Sequence, residues 1–345
     1  MEDQIRTIQE KLLAAKNPLF LFDDDCDGLT SFLQLYRFVG RGKGVIVKSS
    51  PELSVEYVRR VAENAPDLVV ILDKPVVQQQ FLDSVSEFGI EVIWIDHHPP
   101  QVREKVIYFN PRLFNEEDNR PTAYWAWRIS HGLIWVAMLG AVSDWHLLED
   151  LRKPFAEKYP DLLPEQVKTP EEALFQTRLG QLIKVCSFNL KGRLSEVNTS
   201  IRILTRIEDP FEILEQKTPR GKLLYRKYEK MNVLYEELLS KIEVSEKKII
   251  FYTYKDNKTA MTSELSNELL YRHPGKVIFI AREKSGEMKC SIRSAQYVIP
   301  PLLKEALIGI EGYGGGHDHA CGACIKKRQF KEFFRRFSAL VDAAG

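Results

Sequence analysis

Four short, almost wholly apolar runs in the first 110 residues constrain the fold most, because each one is followed directly by an aspartate or an asparagine. Pro18–Phe22 leads into Asp23-Asp24-Asp25-Cys26-Asp27-Gly28, Leu68–Leu72 into Asp73-Lys74-Pro75, Glu91–Ile95 into Asp96-His97-His98-Pro99, and Val106–Phe109 into Asn110-Pro111. Runs of this length with no polar alternation read as strands buried on both faces. Gly44–Lys48 adds another strand. Between them lie helical patterns at 4–15, 29–39, 54–65 and 78–88, and a helical pair follows at Thr122–Ser130 and Leu133–Asp144. Short strands alternating with helices predict an α/β, doubly wound parallel sheet. The carboxyl ends of such strands share one edge, where ligands bind.

That topology gathers acids from distant parts of the chain. Asp23, Asp25 and Asp27 follow the first strand, Asp73 the third, Asp96, His97 and His98 the fourth, and Asp144 closes the second helix of the pair. Carboxylates in that density are costly unless cations cancel them, and oxygen ligands suit Mg²⁺ or Mn²⁺. Convergence of carboxylates and imidazoles in this number is the pattern of a two-metal site, with ions about 3.5–4 Å apart. Taken singly, the first stretch also reads as an acidic surface turn with an N-capping Asp, and His97 as a partly buried histidine.

The rest of the chain divides in two. From 147 to 245 no strand-like run occurs, and Leu, Ile, Glu and Lys recur at helical spacing, which predicts a helical connector broken early by Pro160, Pro164 and Pro170. A second, smaller mixed α/β domain is expected over 246–345. It has strands near 248–254, 276–281 and 287–292, helices at 263–271 and 299–308, a glycine-rich loop at Gly312–His317, and Phe330, Phe333, Phe334 and Phe337 facing a core.

Composition narrows the class. The 345 residues are 44% hydrophobic and 28% charged, as in a globular protein, and the formal charge of +1 leaves room for a basic groove beside an acidic site. No apolar run reaches membrane-spanning length, and Met1-Glu2-Asp3-Gln4 has no secretory character, so a cytoplasmic location is expected. Five cysteines, an odd number, fit a reducing compartment. Cys321-Gly322-Ala323-Cys324 reads as a helix start packed on the glycine loop rather than half of a zinc site. The basic run from Lys326 to Arg336 reads as a solvated face, and Tyr124, Trp125 and Trp127 as core.

Asp25-Cys26-Asp27-Gly28-Leu29-Thr30-Ser31 resembles the first motif of the DHH phosphoesterase superfamily. Asp73 resembles the second, Asp96-His97-His98 the third and Asp144 the fourth. The second domain resembles the accompanying DHHA1 domain: Gly314-Gly315-Gly316-His317 is similar to its glycine-rich motif, and Ser291-Ile292-Arg293-Ser294 to its strand motif. The form of the first motif is closer to RecJ-like nucleases, whose short archaeal members include the Hef-associated 3′→5′ exonucleases. The resemblance implies a DHH catalytic domain over 1–146, a connector over 147–245 and a DHHA1 domain over 246–345. It also implies two Mn²⁺ (or Mg²⁺) ions. One would sit on Asp25 and Asp73. The other would sit on Asp27, Asp73, His97 and Asp144, with Asp96 orienting His97 and His98 near the phosphate or leaving group.

Arg293, Ser294, Gly314, Gly315, Gly316 and His317 would bind substrate. Where the family usually carries a histidine ligand, this sequence has Asp23. The carboxylate is read as replacing the imidazole, which makes Asp23 a metal ligand; the alternative is that the ligand is lost. Two activities stay open: an exonuclease on single-stranded nucleic acid with a role in DNA repair or replication, or a phosphodiesterase for short oligonucleotides, pAp or cyclic dinucleotides. A scaffold that has lost catalysis is disfavoured because all five central ligands remain. A Hef-type helicase or nuclease is the expected protein partner, with no membrane contact and the oligomeric state open.

Overall fold

A computed structural model describes residues 1–48, 52–255 and 259–344. Residue 345, which ends the expected second domain, lies outside them. The chain forms two compact units, one of Met1–Leu190 with Leu194–Tyr228, the other of Lys191–Arg193 with Glu229 onward.

The first unit opens with α1 (Glu2–Ala14) and β1 (Pro18–Asp23), then α2 (Cys26–Val39), β2 (Lys43–Val47), β3 (Glu52–Leu53), α3 (Val58–Asn64), β4 (Leu68–Leu72), β5 (Val76–Val77), α4 (Gln79–Glu87), β6 (Glu91–Ile95) and β7 (Ile107–Phe109). The sheet order β2-β1-β4-β6-β7 is parallel at every pairing. β3 and β5 make a separate two-stranded ribbon. The helix expected over 54–65 starts as a single 3₁₀ turn at Val55–Tyr57 and becomes α-helical only at Val58.

The all-apolar strands follow from burial on both faces. Leu19, Leu21, Val69, Ile71, Val92 and Trp94 pack with Val61, Phe81, Leu82 and Val85 from α3 and α4. Phe20 and Phe22 point the other way, onto Phe32 of α2, at ring distances of 5.6 and 4.7 Å. The second layer is completed by α5 (Thr122–Ser130) and α6 (Ile134–Ser143), which pack on α2. Trp135 through Val142 are all buried, so α6 is apolar all round, as a central helix must be. Tyr124 and Trp125 are likewise core residues.

Register places the candidate site. Phe22, Leu72, Ile95 and Phe109 pair across the sheet in one row. The residues one step beyond, Asp23, Asp73, Asp96 and Asn110, therefore share the carboxyl edge, with strands about 4.8 Å apart.

Most of the stretch expected as a connector packs with the first unit. It holds α7 (Glu149–Lys158), α8 (Pro170–Gln176), α9 (Arg178–Asn189), α10 (Leu194–Leu204), α11 (Phe211–Leu214) and α12 (Pro219–Ser240), and the boundary between units falls inside α12. No strand occurs there among the described residues.

The second unit contains β8 (Ile249–Lys255), α13 (Thr262–Arg272), β9 (Val277–Lys284), β10 (Glu287–Arg293), α14 (Ile299–Ala306), β11 (Gly312–His317), β12 (Ala320–Lys326) and α15 (Lys327–Ala343). Its mixed sheet runs β11-β12-β10-β9-β8, with only β8 and β9 parallel. Phe330, Phe333 and Phe337 enter its core and Phe334 packs at the margin. The glycine-rich stretch is a strand, not a loop: β12 supplies a full ladder that outweighs glycine's poor strand propensity. Cys321 and Cys324 accordingly sit within β12 rather than at a helix start. Glu283, Glu287, Glu311 and Glu332 pair with the basic run on α15 and just before it. Among the described residues, no helix is long and apolar enough to cross a membrane.

One glycine fixes how closely α6 approaches the site. A Cβ on Gly140 would stand 2.3 Å from both Ala123 Cβ and Thr30 Oγ1, and 3.0 Å from Asp27 Oδ1. Gly140→Ala should cost about 1–3 kcal/mol of stability by overpacking, read as a lower urea midpoint with an unchanged slope.

Candidate metal centre

The centre is assembled around the His97 imidazole. Its Nδ1 lies 3.0 Å from the carbonyl oxygen of Asn119, which fixes the proton on that nitrogen. Nε2 then presents its lone pair inward, 3.5 Å from Asp73 Oδ1, 3.6 Å from Asp144 Oδ2 and 4.0 Å from Asp27 Oδ2. These separations are too long for hydrogen bonds and are the size expected between an imidazole and a carboxylate oxygen that each meet a cation at about 2.1 Å. Ligand atoms of Asp27, His97 and Asp144 lie within 4.8 Å of one another, as do those of Asp73, His97 and His98.

Local sequence explains each placement. Asp25 caps α2, its Oδ1 accepting from Gly28 N at 2.9 Å. That cap turns Asp27, in the first helical turn, inward to 2% exposure. The backbone N–H groups of Thr122 and Ala123, at the start of α5, donate to Asp27 Oδ2 and Oδ1 at 2.8 Å each. A helix N-terminus is a favourable place for a carboxylate. Thr122 Oγ1 donates to Asp73 Oδ1 at 3.2 Å. Asp73 itself adopts φ +60°, a left-handed conformation that Asp tolerates better than most residues and that turns its side chain off the strand end.

The electrostatics show what the pocket lacks. Burial pushes Asp27 and Asp73 well above the usual carboxylate range, with neighbouring acids adding to the effect and the two backbone N–H donors moderating it at Asp27. Burial also carries Asp144 up to about 7, against His146. Burial holds His97 down to about 4, so the ring is neutral and cannot balance these acids. A divalent cation would supply the positive charge that neutral imidazole does not. The donors present, three carboxylates and an imidazole, fit Mn²⁺ or Mg²⁺.

Three expected roles change. Asp96 accepts from the backbone N–H and ring Nδ1 of His98, at 3.1 and 2.9 Å, so it orients His98, while the Asn119 carbonyl orients His97. Burial lowers the His98 pKa, but the bond to Asp96 and the surrounding acids outweigh it and raise it to about 9. Asp23 faces the ammonium of Lys74 at 2.9 Å. Ser294 is wholly buried, and its hydroxyl accepts from the N–H groups of Gln296 and Tyr297, so it shapes a turn.

In the second unit, Arg293, Ala320 and His317 occupy one row across β10, β12 and β11. The Arg293 Nε donates to Asn267 Oδ1 at 2.8 Å and Nη1 to the carbonyls of Ile292 and Cys321. Among the described residues, Nη2 has no such partner. Gly314, Gly315 and Gly316 are exposed, and a Cβ at Gly315 would meet nothing within 4 Å. This is an open backbone shelf beside a tethered guanidinium.

Sequence reasoning missed Lys74, Thr122, Asn119 and Asn267. Lys74 offered one signal, a charge between a buried strand end and a proline. Thr122 offered another, a hydroxyl at a helix start after Pro121. Asn119 acts through its backbone and Asn267 through a tertiary contact, so neither carried one.

The DHH family N-terminal domain model matches residues 19–131, and the DHHA1 domain model matches 246–343. The chain therefore carries a DHH-family N-terminal domain and, in its last third, a DHHA1 domain. Within that family its fold is RecJ-like. It is similar to RecJ in complex with Mn²⁺ from Thermus thermophilus, at 20% identity and a TM-score of 0.71, covering 99% of this chain and 54% of that one. The protein thus spans about half the length of that RecJ. A second RecJ structure, an exonuclease bound to manganese, shares 20% identity with a TM-score of 0.65 over 98% of this chain and 93% of that one. A pGpG-specific phosphodiesterase from Vibrio cholerae shares 14% identity with a TM-score of 0.53 over 96% and 100% of the two chains. No curated protein matches the sequence significantly. DHH phosphoesterases are metal-dependent hydrolases of phosphodiester bonds, and the expected fold and family agree with these matches.

A pH dependence follows from the raised acids. In the unfolded chain an Asp titrates near about 4. In the folded, metal-free protein burial raises Asp23 and Asp144 to about 7, and it raises Asp27 and Asp73 well above the usual carboxylate range. Between those values the folded state binds more protons, so stability falls as pH rises from about 4 through 7. Metal-free protein should therefore melt at a lower temperature at pH 8 than at pH 5. Saturating Mn²⁺ should raise the melting temperature more at pH 8. Equal melting temperatures with no Mn²⁺ effect would contradict this reading of the acids.

Proposed function

We propose that the protein is a Mn²⁺- or Mg²⁺-dependent phosphodiesterase of RecJ type, an exonuclease that degrades single-stranded DNA or RNA from the 3′ end. The observation that carries this is the His97 ring, whose Nε2 lone pair faces three carboxylates at 3.5–4.0 Å. Asp27, Asp73, His97 and Asp144 would hold the cation. When bound, it lowers the pKa of water and draws charge from the phosphoryl oxygens.

The chain's own groups do the rest. The Asn119 carbonyl and Thr122 hydroxyl keep His97 and Asp73 in place, as partners of metal ligands do. His98, charged at neutral pH through Asp96, is a proton donor on the same edge and suits protonation of the leaving oxygen. In the second unit, Arg293 Nη2 and the backbone of Gly314–Gly316 suit a phosphate of the substrate. His317, in the same row, suits a second contact to it.

A second reading has support of its own. The pGpG-specific phosphodiesterase shares the fold over nearly all of both chains, so cleavage confined to di- or trinucleotides is the alternative. The polarity and a role in DNA repair rest on the resemblance to short archaeal RecJ-like nucleases, as does a Hef-type partner.

Single-stranded oligomers of graded length, labelled at either end, separate the readings when incubated with Mn²⁺. The exonuclease reading expects processive shortening of 20-mers (a length of about twenty, well beyond a single binding site of about 4–16 nucleotides) from the 3′ end. It also expects Asp73→Ala to lose at least about 10³-fold in rate. Activity limited to two or three nucleotides would favour the alternative. Full activity in Asp73→Ala would remove the metal centre from the mechanism.

A further inference from the structure

We propose that the centre takes a single divalent cation, and that the buried Lys74 ammonium, held by Asp23, occupies the role the family pattern gives to a second. The inference rests on the phosphodiesterase reading above and concerns how many cations serve it.

The residues left for a second cation are Asp23, Asp25 and a shared Asp73. Asp23 Oδ1 lies 2.9 Å from Lys74 Nζ, and the Lys74 side chain has no exposed surface. Burying an ammonium is costly unless a carboxylate meets it. A lysine placed there is therefore fixed by Asp23, and its stem is held by the core. Trp94 Nε1 donates to the Lys74 carbonyl at 3.0 Å, which anchors its backbone. Asp25 is exposed and already caps α2. Among the described residues, the two clusters of ligand atoms close enough to share an ion both contain His97, and neither contains Asp23 or Asp25.

The charges agree with the geometry. Asp24 faces Lys48 at 3.4 Å, Asp23 faces Lys74, and Asp96 faces His98. Asp27, Asp73 and Asp144 stay gathered on His97, with no lysine or arginine paired to them among the described residues. Three carboxylates around one neutral imidazole suit one divalent ion. A second ion drawn to Asp23 would meet an ammonium already on that carboxylate and be repelled by it. A lysine is a compact, tethered point charge. Its charge is tethered to the chain and does not depend on free metal concentration.

The test counts ions. Metal-free full-length protein is titrated with Mn²⁺ by calorimetry and followed by electron paramagnetic resonance. Wild type should bind one equivalent and show the spectrum of an isolated ion. Lys74→Met frees Asp23 and should bind a second equivalent, with the spectrum of a coupled pair. In Asp23→Asn combined with Lys74→Met the freed carboxylate is gone, and binding should return to one equivalent. Two equivalents with a coupled spectrum in wild type overturn the proposal whether or not the variants fold. One equivalent in a natively folded Lys74→Met overturns it too. If wild type binds no Mn²⁺ at all, the metal-dependent reading of the site falls, and this inference with it.

Discussion

Three carboxylates crowd one neutral imidazole at a buried sheet edge, and that arrangement is uphill unless positive charge enters. Asp27, Asp73 and Asp144 come from three separate segments, yet each approaches His97 Nε2 within 4.0 Å. The fold holds them there with rigid parts: the paired strands β4 and β6, the N-terminus of α5 and the close contact at Gly140. The stability that the apolar layers provide offsets the electrostatic cost of the edge. Functional sites commonly concentrate such perturbed groups.

Two kinds of cation answer that cost in different places. On the outer acids the protein supplies its own: Lys48 on Asp24, Lys74 on Asp23 and the His98 imidazolium on Asp96. On the inner three it supplies none from lysine or arginine among the described residues. The division separates acids that shape the edge from acids that could hold a cation. It also gives Asp96 and His98 a joint role, because the carboxylate that keeps the ring charged also keeps it oriented.

Much of this was legible in the sequence because parallel strands leave a simple signature. Leu68–Leu72 and Glu91–Ile95 were bounded to the residue by the acids that follow them. Register then does the rest, since neighbouring strands that end together must bring their next residues together. What escaped was tertiary. Nothing in Gly312–His317 shows that β12 will pair with it and make it a strand. The family resemblance implied that Asp96 orients His97, but consecutive residues at a strand end point apart, and the carboxylate reaches His98 instead. Ser294 was assigned to the substrate through its place in the family's strand motif, although a buried hydroxyl two residues before Gln296 serves the turn. The ion pair of Asp23 with Lys74 escaped because its partner lies 51 residues away in the sequence.

The claim on which the rest depends is that a divalent cation sits against His97. Crystals grown with Mn²⁺ and measured near the manganese absorption edge test it directly. The account predicts an anomalous peak in contact with His97 Nε2 and with carboxylate oxygens of Asp27, Asp73 and Asp144. A map with no peak there, or with those side chains turned apart, would contradict it.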